Sequence, residues 1–206
     1  WWNTMNEYTL LSFHAVIIAF GVLLMTPLGE SMNGFLVNKW PSTSTKRGRT
    51  LAGLMLVCTG GFTVSAHTLW MHNKLSEGES VCTGSSILNC DGLIGNPEYN
   101  TVPFINQPWG LLGMVAFCVL LWIVITIAKE PLALTTPTFL KAGLGATIAG
   151  LPVIGLLVSY EIKEGLICPF CTTAHIANLI ALGAFFFLLR LYESDEWAPE
   201  LKKTRK

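Results

Sequence analysis

Ile167-Cys168-Pro169-Phe170-Cys171-Thr172-Thr173-Ala174-His175 places a C-x-x-C at the mouth of a run that carries no formal charge from Gly165 to Leu189. Pro169 has no N–H to lose at a first helical position, which makes Cys168 the expected N-cap and Cys171 the third helical residue. The free N–H groups and positive end of that helix favour Cys168 as a thiolate. Cys168 is expected to be the more exposed of the two, with Cys171 nearly a turn deeper. A vicinal pair of this kind can cycle between dithiol and disulfide. His175 and Asn178 follow on the helical face of Cys171, where they can line a pocket.

Outward from this motif the chain is strongly apolar. Of its 206 residues 51% are hydrophobic and only 13% charged, too few charges for an ordinary soluble domain. Net charge is zero and the basic tail Lys202–Lys206 is short, so nothing in the charge pattern suits nucleic acid. Runs long enough to cross a bilayer, at about 20 residues each, are expected near Tyr8–Gly29, Leu51–Met71, Trp109–Ala128, Thr138–Tyr160 and Gly165–Leu191. The first is read as a retained helix, because Trp1–Glu7 has no basic region of the signal-peptide kind. In the second, Gly60, Gly61 and Ser65 let a neighbouring helix come close. Pro152 is expected to bend the fourth. The fold class is therefore an all-α integral membrane protein of five spans. Its parts are a first helix and polar connection over 1–50, a catalytic bundle over 51–191 and a charged tail over 192–206.

Between the second and third spans lies the long loop Asn73–Pro108, with Glu77, Glu79, Asp91, Glu98 and a single lysine. Of 13 Lys and Arg residues, only Lys74 and Lys163 fall on its side of the membrane; the other 11 (13 − 2) lie in the alternate connections and the tail. The positive-inside rule then puts the loop outside the cytoplasm and the C-terminus inside it. That side is where Cys82 and Cys90 of the loop meet Cys168 and Cys171, and it is where disulfides persist. Cys58 and Cys118 lie inside apolar runs and are expected to be small buried hydrophobes. The four remaining cysteines are compatible with thiol–disulfide exchange, with two inert disulfides or with a four-thiolate zinc site. Redox cycling suits a proline-containing C-x-x-C at a helix start best, and no metal is expected.

With these segments in place the chain resembles the vitamin K epoxide reductase family, specifically its prokaryotic disulfide-forming homologues. The resemblance covers about Leu51–Leu191 and follows the family's order of span, two-cysteine loop, two spans, then C-x-x-C at the outer start of the last span. Cys90-Asp91-Gly92-Leu93-Ile94-Gly95-Asn96-Pro97 is similar to the family's Cys-Asp-x-Val-Leu-x-Ser-Pro segment, and Pro108-Trp109-Gly110-Leu111-Leu112-Gly113 to its Pro-x-x-Leu-Leu-Gly. The resemblance implies that Cys82 meets an external thiol protein and Cys90 exchanges with Cys168. It also implies that Cys171 is nearest a quinone of the menaquinone or ubiquinone type. Three positions depart from the pattern. Asn96 replaces a loop serine and can still hydrogen-bond a quinone oxygen. His175 stands where vertebrate members have a pocket tyrosine and can donate a hydrogen bond or a proton, or it can simply be satisfied by a neighbouring helix. Trp109 replaces a vertebrate asparagine, as a ring to stack on or as an interfacial anchor.

These departures leave disulfide exchange intact and speak against epoxide reduction. The expected activity is a membrane thiol–quinone oxidoreductase, embedded in lipid, whose thioredoxin-like partner acts in trans because no such domain occurs in these 206 residues. The alternative is a non-catalytic accessory subunit in which the disulfides are staples. The extra first span is expected to serve docking to a larger membrane complex.

Overall fold

The computed structural model describes residues 7–31, 37–82, 87–194 and 196–198. The basic end of the expected tail, and the loop residues directly after Cys82, lie outside them. The elements are α1 (Glu7–Met25), α2 (Pro27–Ser31), a 3-10 turn (Pro41–Ser44), α3 (Lys46–Ser76), α4 (Asp91–Ile94), α5 (Pro97–Asn100), α6 (Trp109–Lys129), α7 (Thr136–Glu164) and α8 (Pro169–Glu193). Four of these, α3, α6, α7 and α8, are long and apolar enough to cross a membrane, and α1 adds the shorter apolar segment Thr9–Met25. The five apolar helices expected from the sequence are thus present, in an all-α membrane fold. Among the described residues the only β-type pairings are two isolated bridges.

Helix α3 is the axis of the bundle, packed on α1, α6 and α8. Small residues make this possible. A methyl group on Gly21 of α1 would lie 2.6 Å from the Gly53 carbonyl oxygen of α3, so these two backbones touch. Ile18 packs on Gly60, the Phe117 ring of α6 covers Gly61, and Gly113 sits against Ser65, as the small residues of this span led one to expect. Leu54, Val57, Cys58, Val124, Leu140, Phe185 and Leu188 form the centre of the core. The outside of the bundle is also apolar, with Phe13, Val16, Val115, Trp122, Ile148 and Phe186 exposed, as lipid contact requires.

Two expectations need correction. Cys118 is exposed on the outer face of α6, although Cys58 is buried as expected. Lipid and protein interior are equally apolar, so hydropathy cannot tell which face a thiol in a span occupies. Second, α3 begins at Lys46, inside the stretch expected as polar connection. Thr45 caps it, its Oγ1 accepting the Gly48 N–H at 3.0 Å. At this end Arg49 is buried and pairs with Glu30 at 3.3 Å, Arg47 donates to the Trp197 carbonyl, and Trp197 Nε1 donates to the Pro131 carbonyl at 2.9 Å. The polar connection, the α6–α7 turn and the residues after α8 are thereby tied together, at the opposite end of α8 from the C-x-x-C.

The close approach of α1 and α3 generates a test. Gly53→Val forces the backbones apart and should cost about 1–3 kcal/mol as an overpacked contact. Gly145, where an added Cβ meets nothing within 4 Å, is the control. In detergent, G53V should lower the thermal unfolding midpoint by several degrees and G145V should not; equal midpoints would show that α1 does not depend on this contact.

Candidate active site

The C-x-x-C turn is built as its sequence dictates. Cys168 is the N-cap of α8 with φ −95° and ψ 106°, Pro169 opens the helix, and the Cys168 sulfur accepts the Cys171 N–H at 3.3 Å. The Cys171 and Cys168 sulfurs are 2.7 Å apart. A disulfide, at about 2.05 Å, can close here with little backbone movement. The turn is presented by Gly165, whose φ of +64° ends α7 in the left-handed conformation that suits glycine.

The long loop is laid over this turn by backbone pairing. Leu88 bridges Ile167 in parallel, with Ile167 N–H donating to the Ile87 carbonyl at 2.8 Å and Asn89 N–H to the Ile167 carbonyl at 3.2 Å. Two residues after Leu88, Cys90 packs with Cys168 in one buried cluster. Cys82 closes the set, its sulfur accepting the Cys90 N–H at 3.3 Å. Asp91 holds the segment before Cys82 in place, accepting from Ser80 Oγ at 2.6 Å and the Val81 N–H at 3.3 Å. The four cysteines therefore share one cluster, with Cys82 against Cys90 and Cys171 against Cys168. Among the described residues no three His, Cys, Asp or Glu side chains are grouped as they would be to hold a metal ion.

The exposure and ionisation expected of Cys168 are both reversed. Cys168 and Cys90 are fully buried, while Cys171 is half-buried. Val64 and Met71 of α3, Leu93 and Ile94 of α4, and Phe170 enclose the pair. Burial, with the Cys171 thiol beside it, pushes the Cys168 thiol well above its ordinary range, and the Cys168 thiol together with burial does the same to Cys90. The helix N-terminus still supplies the Cys171 N–H, but desolvation outweighs it.

Cys171 opens on a cavity of about 420 Å³ bounded by α3, α6, α7, α8 and the α4–α5 loop. This is a size typical of small-molecule sites. Its walls are apolar, with Ile94, Phe117, Leu120, Val153 and Leu157 among them. His175 and Asn178 line it, as their spacing from Cys171 predicts, and so does Trp109. Trp109 Nε1 is buried with no hydrogen-bond partner, one of two such side-chain atoms among the described residues. A buried indole N–H left without an acceptor on an apolar cavity fits a ligand that carries an oxygen. Asn178 is anchored by donating to the Thr147 carbonyl at 3.1 Å.

Asn96 is not brought to this cavity. Its side chain caps α5, accepting the Glu98 N–H at 3.0 Å. Asn100, one turn on, lines the cavity instead, with its Nδ2 donating to the Ile94 carbonyl at 2.7 Å and lying 3.0 Å from His72 Nδ1. Sequence reasoning also passed over Ser65, Thr68, Tyr99 and Glu161 on the cavity wall, and a pair of histidines behind the motif. His14 Nε2 of α1 and His67 Nδ1 of α3 are 3.1 Å apart, and the His67 ring packs edge-on against Phe170 at 4.7 Å between centroids. The available signal was the rarity of histidine inside spans.

Comparison with known proteins agrees with this geometry. No curated protein and no solved structure matches the chain. A family model does match residues 52–186, which takes in the two-cysteine loop, the cavity helices and the C-x-x-C. The chain belongs to the vitamin K epoxide reductase family.

Proposed function

We propose that this membrane oxidoreductase takes electrons from a thioredoxin-like dithiol protein outside the cytoplasm and gives them to a membrane quinone. One observation carries the reading: all four cysteines share one cluster, and Cys171 lies both in it and on the wall of an apolar cavity. Membership of the family supports a disulfide-forming oxidoreductase whose electron partner is a quinone. The distribution of Lys and Arg supports the sidedness.

In this reading a partner thiolate attacks Cys82 of a Cys82–Cys90 disulfide, and the partner's second thiol resolves the mixed disulfide, leaving the partner oxidised and the loop reduced. Cys90 then attacks Cys168 of the Cys168–Cys171 disulfide and releases Cys171 as thiol. Cys82 attacks Cys90, restoring the loop disulfide and leaving Cys168 and Cys171 as a dithiol. Each step makes one S–S bond and breaks one, so two electrons have moved inward. The quinone supplies an acceptor for those two electrons and two protons. Cys171 faces it across the cavity wall, Trp109 Nε1 and His175 offer hydrogen bonds to its oxygens, and the apolar walls exclude water. Asn100 takes over the part expected of Asn96, because it is the loop asparagine that reaches the cavity.

Two sets of substitutions test this. Cys171→Ala should abolish quinone reduction with any reductant, whereas Cys82→Ala should block the protein partner yet retain turnover with a small dithiol. Equal loss from both, in a quinol-formation assay, would contradict the order of the relay. Trp109→Phe removes one hydrogen bond, a change of about 0.5–1.5 kcal/mol. It should raise the KM for a short-chain quinone by roughly 2- to 12-fold on that scale and leave thiol exchange with the partner unchanged.

A further inference from the structure

The wall of the cavity carries a single formally charged side chain among the described residues, Glu161. It stands in the last turn of α7, and its Oε1 accepts the Cys168 N–H at 3.1 Å. The acids around it are engaged elsewhere. Glu164 accepts the Tyr99 hydroxyl at 2.6 Å, and Glu98 pairs with Lys163 at 3.8 Å. No salt bridge to Glu161 occurs among the described residues. Glu161 is half-buried, so its carboxylate gives up part of its hydration to an apolar cavity with one N–H as partner and no counter-charge among the described residues. Its place suits proton transfer, since it touches the backbone of one redox thiol residue and shares a cavity with the other.

The chemistry needs such a group. Cys168 is fully buried, so its proton has no water to leave to when the pair is oxidised. We propose that Glu161 carries a proton from the Cys168–Cys171 dithiol to the quinone as the disulfide closes; this rests on the thiol–quinone reading above. Closing the disulfide releases two electrons and two protons, and converting quinone to quinol consumes both. Glu161 takes one proton from the dithiol and returns it to a quinone oxygen, ending in the charge state in which it began. The second thiol proton goes to the other quinone oxygen. The titratable groups that share the cavity wall with Glu161 are Cys171 and His175 on α8, Tyr99 on α5 and Tyr160 beside it on α7; Cys168 meets Glu161 through its backbone N–H, and His72 of α3 lies behind Asn100. Of the carboxylates among the described residues, Glu161 alone lines the cavity.

Glu161→Gln tests the proposal, because the amide oxygen still accepts the Cys168 N–H but the side chain carries no proton. Full-length protein reduced with a small dithiol is mixed with a short-chain quinone, and closure of Cys168–Cys171 is followed by thiol trapping. E161Q should slow closure by about 100-fold, within the range for a lost general acid or base, and E161D should recover part of the rate. A second readout needs no quinone. Iodoacetamide labelling of Cys171 in the reduced protein, followed by peptide mass against pH, should show in wild type an inflection that E161Q lacks. Wild-type closure rate and a wild-type labelling profile in E161Q would overturn the proposal. If E161Q does not fold, E161D must shift the inflection, and an unshifted one would overturn the proposal equally. Wild-type protein that forms no quinol while its labelling inflection still depends on Glu161 would sink the quinone reading and support Glu161 as the proton acceptor of the dithiol.

Discussion

The parallel pairing of Leu88 with Ile167 is the constraint on which the rest of this site depends. It joins a loop residue two positions before Cys90 to the residue directly before Cys168, so the register of one backbone bridge decides which sulfurs meet. A slip of one residue would turn the side chains to the opposite face and separate the thiols. The bridge is short, and other contacts hold its two sides. Gly165 turns α7 back so that Ile167 arrives at the loop, and Tyr99 ties the loop to the end of α7 through Glu164. The bundle gives this arrangement a floor, since α3 supplies Val64 and Met71 beneath Cys90 and Cys168.

Enclosure has an electrostatic result that runs against the familiar picture of an activated helix-cap cysteine. In thiol–disulfide exchange the thiolate attacks, yet Cys168 is held protonated by burial and the neighbouring Cys171 thiol, and Cys90 by the Cys168 thiol and burial. Neither is poised to react with a stray oxidant or a passing thiol. Exchange between them therefore requires that a proton be removed or that an incoming thiolate begin the sequence. In the proposed relay the two ends, Cys82 in the loop and Cys171 on the cavity, are the points of entry and exit, and an interior pair that reacts only with its neighbours would keep electrons on one route.

The local chemistry was legible in the sequence because it is set by neighbours along the chain. The Pro169 helix start, the Cys168 cap, the small residues of α3 and the spacing of His175 and Asn178 from Cys171 all follow from periodicity and backbone geometry. What could not be read depends on residues far apart in sequence. Cys168 looks exposed until the loop covers it. Asn96 directly precedes Pro97 and Asn100 lies three residues after it, and only the direction of α5 decides that Asn96 becomes a cap while Asn100 reaches the cavity. Cys118 could not be assigned a face because lipid and core have the same polarity. Glu161 reads as an ordinary interfacial acid until the α7–α8 turn folds Cys168 back onto it.

Helix α1 lies outside the region that matches the family, residues 52–186, yet it is not peripheral to the motif. Its backbone touches α3 at Gly21 and Gly53, which brings His14 within 3.1 Å of His67. His14 Nδ1 is in turn 3.0 Å from Thr63 Oγ1, so both ring nitrogens are satisfied and the imidazole is buried without an unpaired polar atom. Both rings lie edge-on to Phe170, the residue between Pro169 and Cys171, with centroids at 6.5 Å for His14 and 4.7 Å for His67. Phe170 is itself fully enclosed and forms part of the wall around Cys90 and Cys168. Helix α1 is thus joined through two hydrogen-bonded rings to the middle of the C-x-x-C. The first helix, which shows no chemistry in its own sequence, is in physical terms part of the wall that keeps the inner thiols dry.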